Sequence, residues 1–485
     1  MNTMDLTQFI PMLAQIKYYS WRLTNYYDAT VIHPLAGTIL LGAVIAIFTV
    51  PRRFVIPAAI LVLIYTSSAQ RLVVFGVDFN FARILCVVGL LRVAARGELS
   101  SIRWSIPDTL VIVYSLMRVM GVILRGQDMK LMAETGWAFD QIAAYLIGRS
   151  VLREPKDWGP TLRFACVIII PVALFFLREK LTGRNAFHVF GGVPEMTLLR
   201  HGKLRAQGAF PHPIIAGALF VTLLPLMMSQ WKADLRKSRG MMVSIVGSIC
   251  CLVIVFSANS STPFGGLLAV LIGWALFPLR ASLPKLAWCF LGLALVLHFI
   301  SENGIFHLMF ARFSFVSGST GYHRYVLYDA WMRMVPEWFA IGSNSTAHWG
   351  RRLFDVTSEY VGASVRGGII GFVAFVSILV YSFKSIAKSS RLFRATPDEY
   401  FVFALGVSLF AHIVMFLGVQ YFGAAVFWFW MSVGSMISIG YGMQHRMATI
   451  PQRKSRRPVN RDSRNPRANQ PLRGRPFTGP SGQGI

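Results

Sequence analysis

Apolar runs recur along this chain often enough to leave few folds open. They begin near Leu35, Phe54, Phe79, Pro107, Leu131, Thr161, Pro213, Met241, Phe264, Leu286, Gly367, Tyr400 and Ala424. A helical run of about 20 apolar residues matches the roughly 30 Å hydrocarbon core of a bilayer. Hydrophobic residues make up 54% of the sequence and charged ones 14%, too little polar surface to solvate a globular chain of this length. The expected fold is an all-α polytopic membrane protein with about 12–13 transmembrane helices.

The net charge of +27 would suggest nucleic acid in a soluble protein, but its distribution argues against that partner. Ten of the 48 Lys and Arg fall in residues 443–485, against one acid, Asp462. This Pro-, Asn- and Arg-rich tail cannot build a core, so it is expected to be a disordered cytoplasmic anchor touching anionic membrane lipid. Residues 1–33 lack the apolar centre and cleavage site of a signal peptide and are expected to form an interfacial segment. Residues 34–442 form the transmembrane domain. Cys86, Cys166, Cys250, Cys251 and Cys289 all sit inside apolar runs, and are expected to be membrane-buried thiols, neither a disulfide framework nor a metal set.

The connections alternate in character. "PRRF", "RVAARGELSSIR", "GRSVLREPK", "WKADLRKSRG", "PLRASLPK" and "FKSIAKSSRLFR" are basic, whereas "SANSSTPFGG" and "GVQYFGAA" carry no charge. The positive-inside rule assigns the basic set and the tail to the cytoplasm and the uncharged turns to the outer face. Two longer connections then also lie outside, at about residues 178–212 and 301–366. Their arginines run against the rule, and an anionic ligand at the outer face would account for them.

The first outer loop contributes Arg200, Lys203, Arg205 and His212, and the second Arg312, "GYHRYVLYDAWMR" with Tyr322, His323 and Arg324, "STAHWGRRLFDVTSEY" with His348, Trp349, Asp355 and Glu359, and Arg366. Guanidinium groups grip phosphate oxygens in a fork, and a diphosphate offers several. As a helix, residues 321–333 put Tyr322, Tyr325, Asp329 and Arg333 on one stripe and Arg324, Leu327, Tyr328 and Trp331 on another. Pro211-His212-Pro213 should end one element and start the next helix at the bilayer edge, leaving Arg205 in irregular backbone. There is no DxD, HExxH, Walker loop or GxSxG, so neither metal nor cofactor is expected. Arg83, Arg118, Asp140 and Arg149 fall within apolar runs, where charge is costly, and should pair or hold helices together.

"LRAQGAFPHPIIAGAL", "SANSSTPFGGLLAVLIG" and "STGYHRYVLYDAW" with "EWFAIGSNSTAHWG" and "DVTSEYVGASVRGGIIGF" resemble, in order and spacing, the bacterial O-antigen ligase and Wzy-type polymerase family, in its exopolysaccharide-biosynthesis branch. The resemblance spans roughly residues 200–371. It implies a GT-C-like helical fold with a large periplasmic loop between the late helices, in the bacterial inner membrane. It also implies metal-independent transfer of a glycan from undecaprenyl diphosphate, alongside a chain-length regulator and export machinery. The family's diphosphate-binding arginines fall on Arg205 and Arg324. Where many members carry His-Asn before a Tyr, this chain has Thr357-Ser358-Glu359-Tyr360, so activation of the acceptor passes to Glu359, Asp355 or His348, or is dispensable.

The expected function is a glycosyltransferase polymerising undecaprenyl-diphosphate-linked oligosaccharide repeats, with Arg205, Arg324, Glu359 and His348 as catalytic candidates. Arg200, His212, Arg312, Tyr322, His323, Trp349, Asp355 and Arg366 are the substrate-binding candidates. A ligase passing glycan to a lipid or protein acceptor is the near alternative. A lipid-linked sugar transporter or a non-catalytic assembly component is the alternative of another class.

Overall fold

A computed structural model describes residues 29–233, 237–301 and 321–449. Within them the chain is mostly helical, and each of the thirteen apolar runs lies in a helix. In order these are α1 (Pro34–Thr49), α2 (Val55–Tyr65), α3 (Phe81–Ala95), α4 (Ile106–Leu124), α5 (Asp128–Val151), α6 (Pro155–Thr182), α7 (Pro213–Ala233), α8 (Lys237–Ala258), α9 (Ser261–Ala275) and α10 (Leu283–Ile300). Two helices without such a run follow, α11 (Gly321–Arg333) and α12 (Val335–Trp338). The late helices are α13 (Glu359–Leu392), α14 (Asp398–Phe416) and α15 (Ala424–Thr449).

Eight of the described helices, α4, α6, α7, α8, α10, α13, α14 and α15, are long and apolar enough to cross a membrane. The count falls below the expected 12 or 13 for two physical reasons. α1, α2, α3 and α9 have 16, 11, 15 and 15 residues, short of the length that spans the hydrocarbon at 1.5 Å per residue. α5 is long enough but carries Asp128, Lys130, Glu134, Asp140 and Arg149.

Two antiparallel hairpins, which an all-α reading did not foresee, interrupt the helices: β1 (Arg71–Val74) with β2 (Val77–Asn80), and β3 (Leu198–Arg200) with β4 (Lys203–Arg205). Residues 29–33 are not helical, and Val31 bridges to Arg71. The rest of the amino-terminal segment, and the tail beyond residue 449, lie outside the described residues. α15 carries the chain helically to Thr449, past the expected boundary at residue 442.

The main core gathers around α7, α14 and α15, with Phe220, Phe375, Phe401, Phe416 and Met431 fully buried. α5 meets α15 almost backbone to backbone, since a Cβ on Gly148 would stand 2.0 Å from the Met431 carbonyl. Small residues at such crossings allow close helix association in lipid.

Several charges within the helices are paired across them. Arg83 holds Asp140 at 2.9 Å, Arg118 holds Glu134 at 2.6 Å and Arg149 holds Asp108 at 2.8 Å. Asp140 and Arg149 therefore do join helices, each through a partner of its own. Charged pairs of this kind cost far less in a bilayer than single ions.

α13 breaks at Gly368 (φ 61, ψ −162). The groups freed there are taken up by the connection after α12. Ile369 N donates to Phe339 O at 2.8 Å and Ser343 N donates to Val365 O at 2.8 Å, while Arg125, at the end of α4, donates to Arg366 O at 3.3 Å. A second core sits over this break, built from Leu327, Tyr328, Trp331, Trp338, Trp349 and Leu353. α11, α12 and the following loop thus form a cap on one end of the helix bundle.

Candidate functional site

α11 forms as its periodicity predicts, and its two stripes separate by burial. Arg324, Leu327, Tyr328 and Trp331 face inward. Tyr322 is 69% exposed, its ring 5.9 Å from that of Tyr325, and Asp329 pairs with Arg333 one turn on. His323 is half-buried between the stripes.

The inward stripe places Arg324 at 8% exposure. Its Nη2 donates to Thr262 Oγ1 at 2.8 Å and to Gly418 O at 3.1 Å. Both partners are neutral, and among the described residues no carboxylate pairs with it. Nε is buried without a hydrogen bond among those residues. Burial pushes the guanidinium down to about 10, with the nearby Arg200 charge acting the same way against an opposing contribution from Tyr328. It remains a cation at neutral pH. A buried cation without a counter-ion is costly, and an arriving anion would relieve that cost.

The charge-free turn after α14 is where the site is tied together. Phe416 O accepts from Ser358 Oγ at 3.1 Å, Leu417 O from Tyr328 Oη at 3.3 Å, and Gly418 O from Arg324. Gln420 Oε1 accepts from Arg366 Nη2 at 2.9 Å, and Tyr421 N donates to Glu359 Oε2 at 3.0 Å. Thr262 lies in the first turn of α9, in the other uncharged connection. The two turns assigned to the outer face by their lack of charge therefore meet at Arg324.

The Arg205 segment reaches the same end of the bundle. Arg205 closes β4 and is buried, so hairpin pairing, and not irregular backbone, holds it. Arg200 lies across the hairpin, registered with Lys203. The next residues are fastened by Glu179 at the end of α6, whose carboxylate accepts from Gln207 N at 3.0 Å and Gly208 N at 2.9 Å. Ala206 N donates to Ser257 O at 3.0 Å, just ahead of the Thr262 turn. As expected, α7 begins at Pro213. His212 Nδ1 caps it by accepting from Ile214 N at 3.1 Å, and Pro211 packs beside Gly423.

Glu359 and Arg366 are helical, which moves the end of the second loop back from residue 366 to Ser358, the residue that caps α13. Glu359 is 7% exposed, and its Oε1 lies 3.5 Å from Tyr114 Oη. Arg366 approaches Glu134 at 3.5 Å and so shares that carboxylate with Arg118.

His348 and Trp349 belong to a different cluster. His348 Nε2 lies 2.8 Å from Glu337 Oε2, Trp349 Nε1 donates to the same oxygen at 2.9 Å, and Ser343 Oγ donates to Oε1. Trp349 is buried in the cap core, so its ring is not open for stacking on a sugar; Tyr322 is. Asp355 is exposed on the loop, and Arg312 lies outside the described residues. Sequence reasoning passed over Glu179, Thr262, Glu337 and Gly418, and placed Tyr328 on a stripe without giving it a role in the site. Two of them, Thr262 and Gly418, lie in the quoted charge-free turns, where the lack of charge marked the face but not the contacts.

Fold and site together define a multi-pass helical membrane protein with a capped, cation-bearing end. No family model matches the chain, and no curated protein is significantly similar to it.

Proposed function

We propose that this protein is a metal-independent glycosyltransferase that joins undecaprenyl-diphosphate-linked oligosaccharide repeats into an extracellular polysaccharide at the periplasmic face of a bacterial inner membrane. The observation that carries the proposal is Arg324, a buried guanidinium held only by neutral groups among the described residues, with Arg200 near it. Preorganised cations aimed at a departing diphosphate stabilise the charge that develops as it leaves. In the reaction, an acceptor hydroxyl oxygen bonds to the anomeric carbon. The bond from that carbon to the diphosphate oxygen breaks, and its electron pair leaves with undecaprenyl diphosphate.

Arg324 and Arg205 hold the diphosphate, with Arg200 and Arg366 around them. Glu359 takes the acceptor proton, since it is tied to the same turn as Arg324, and His348 is the second candidate. Tyr322 offers an open ring to a sugar. The basic end of the chain is cytoplasmic, and a GT-C-like relationship, a chain-length regulator and export machinery belong to the same reading.

The test supplies membranes containing the protein with a labelled lipid-linked repeat from its own pathway and follows product size on a gel. A ladder from wild type that vanishes in Arg324→Ala at equal protein level supports polymerisation. A single addition to a lipid or protein acceptor would mean a ligase. An unaltered repeat with folded wild-type protein would favour transport or a non-catalytic role.

A further inference from the structure

An open cleft of about 380 Å³ lies between α6 and α8, at the end of the bundle that carries Arg205. Ile249, Val253 and Phe256 of α8 line it at helical spacing, facing Leu177 of α6. Leu177, Ile249 and Phe256 are exposed to the surroundings of the bundle, which in a membrane are lipid. The cleft ends in two polar residues, Lys180 and Ser257. Lys180 Nζ donates to Leu204 O at 2.5 Å, and Ser257 O accepts from Ala206 N at 3.0 Å. The residues on either side of Arg205 are thus fastened to the polar end of an apolar slot.

We propose that this cleft seats the hydrocarbon chain of a polyprenyl diphosphate, with the first isoprene units against Val253 and Phe256 and the diphosphate turned toward Lys180 and Arg205. The inference rests on the reading of the protein as acting on a lipid-linked diphosphate. Charge complementarity selects the occupant. Among the described residues Lys180 has no carboxylate partner, and Lys203 stands on the adjoining hairpin, so the slot ends in positive charge and calls for an anionic head. One face of each of two helices bounds it, which suits a single chain better than the paired chains of a glycerophospholipid. A packed protein helix would explain neither the slot nor the lysine at its end.

The test uses the full chain in nanodiscs of phosphatidylethanolamine and phosphatidylglycerol. The probe is undecaprenyl diphosphate carrying a diazirine in its chain, and adducts are mapped by mass spectrometry. Adducts are expected on the peptides around Leu177 and residues 249–256. Excess unlabelled undecaprenyl diphosphate should reduce them at least by half, and an equal excess of phosphatidylglycerol should leave them unchanged. Val253→Trp, or Ile249→Trp at the exposed rim, should abolish them without lowering the thermal unfolding temperature. Adducts concentrated elsewhere, such as on α10, or lost equally to phosphatidylglycerol, overturn the proposal. Elongation by wild type with adducts elsewhere sinks the cleft alone. Adducts in the cleft without elongation sink the polymerase reading and leave the cleft standing.

Discussion

Arg324 donates to the Gly418 carbonyl at 3.1 Å, and a Cβ on Gly418 would stand 2.8 Å from Arg324 Nε. Gly418 therefore makes the room in which the guanidinium sits. Its φ is not positive, so the backbone accepts alanine and the substitution acts through that contact. Gly418→Ala should lower chain elongation by about tenfold or more, as displacement of a positioned charge does, with little change in unfolding temperature. Undiminished elongation would mean that the placement of Arg324 does not matter.

Glu359 combines a structural and a chemical task, which two substitutions separate. Gln keeps an oxygen for Tyr421 N and nearly the same volume but cannot take a proton. Glu359→Gln should fold and fail to elongate, whereas Glu359→Ala leaves a buried N–H unpaired at about 1–3 kcal/mol and should also unfold earlier. Normal elongation by the Gln variant would move proton transfer to His348, with His348→Ala as the next comparison.

Gly368 sits at φ 61 and ψ −162, a region essentially restricted to glycine. A Cβ there would lie 2.4 Å from Ala340 O. Gly368→Ala should cost at least about 1–3 kcal/mol and loosen the cap from the break in α13. Faster proteolysis between Trp338 and Trp349 reads the effect, and unchanged cleavage would argue against the break as the anchor of the cap.

Asp108 and Arg149 are 1% and 4% exposed, joined at 2.8 Å, and Tyr145 Oη also donates to Asp108 at 2.7 Å. Removing one charge strands the other. Asp108→Ala should cost about 3–5 kcal/mol, and the double variant Asp108→Leu with Arg149→Met should recover much of that loss. Equal instability of single and double variants would point to volume, not charge.

Glu337 gives the cap a pH dependence. Burial pushes its carboxyl up, but hydrogen bonds from Ser343, His348 and Trp349, together with the His348 charge, outweigh burial and hold it below the usual carboxylate range. A depressed carboxylate contributes stability that is present above its unfolded value near 4.3 and is lost as pH falls through the folded value. Tryptophan fluorescence of the cap should therefore change on acidification below about pH 4. Glu337→Gln should remove that acid transition, and persistence of the transition would assign it to another group.

What the sequence determined by itself was local. Thirteen apolar runs became helices, each of which bonds its own backbone within a single segment as hydrocarbon requires of a span. Pro211-His212-Pro213 set the start of α7 through proline's fixed φ, and 3.6-residue periodicity divided α11 into its two stripes. Tertiary structure decided which charges were spent and which were left. Asp140 is taken up by Arg83, 57 residues away, and Arg149 by Asp108. Among the described residues, Arg324 meets only a hydroxyl and a carbonyl, from 62 and 94 residues away. Trp349, a substrate-binding candidate by its sequence, is consumed by the cap core, and Arg205 is placed by a hairpin too short to register as a pattern. Side-chain spacing reports the faces of one element, whereas the role of a cation depends on the partner that distant segments bring to it.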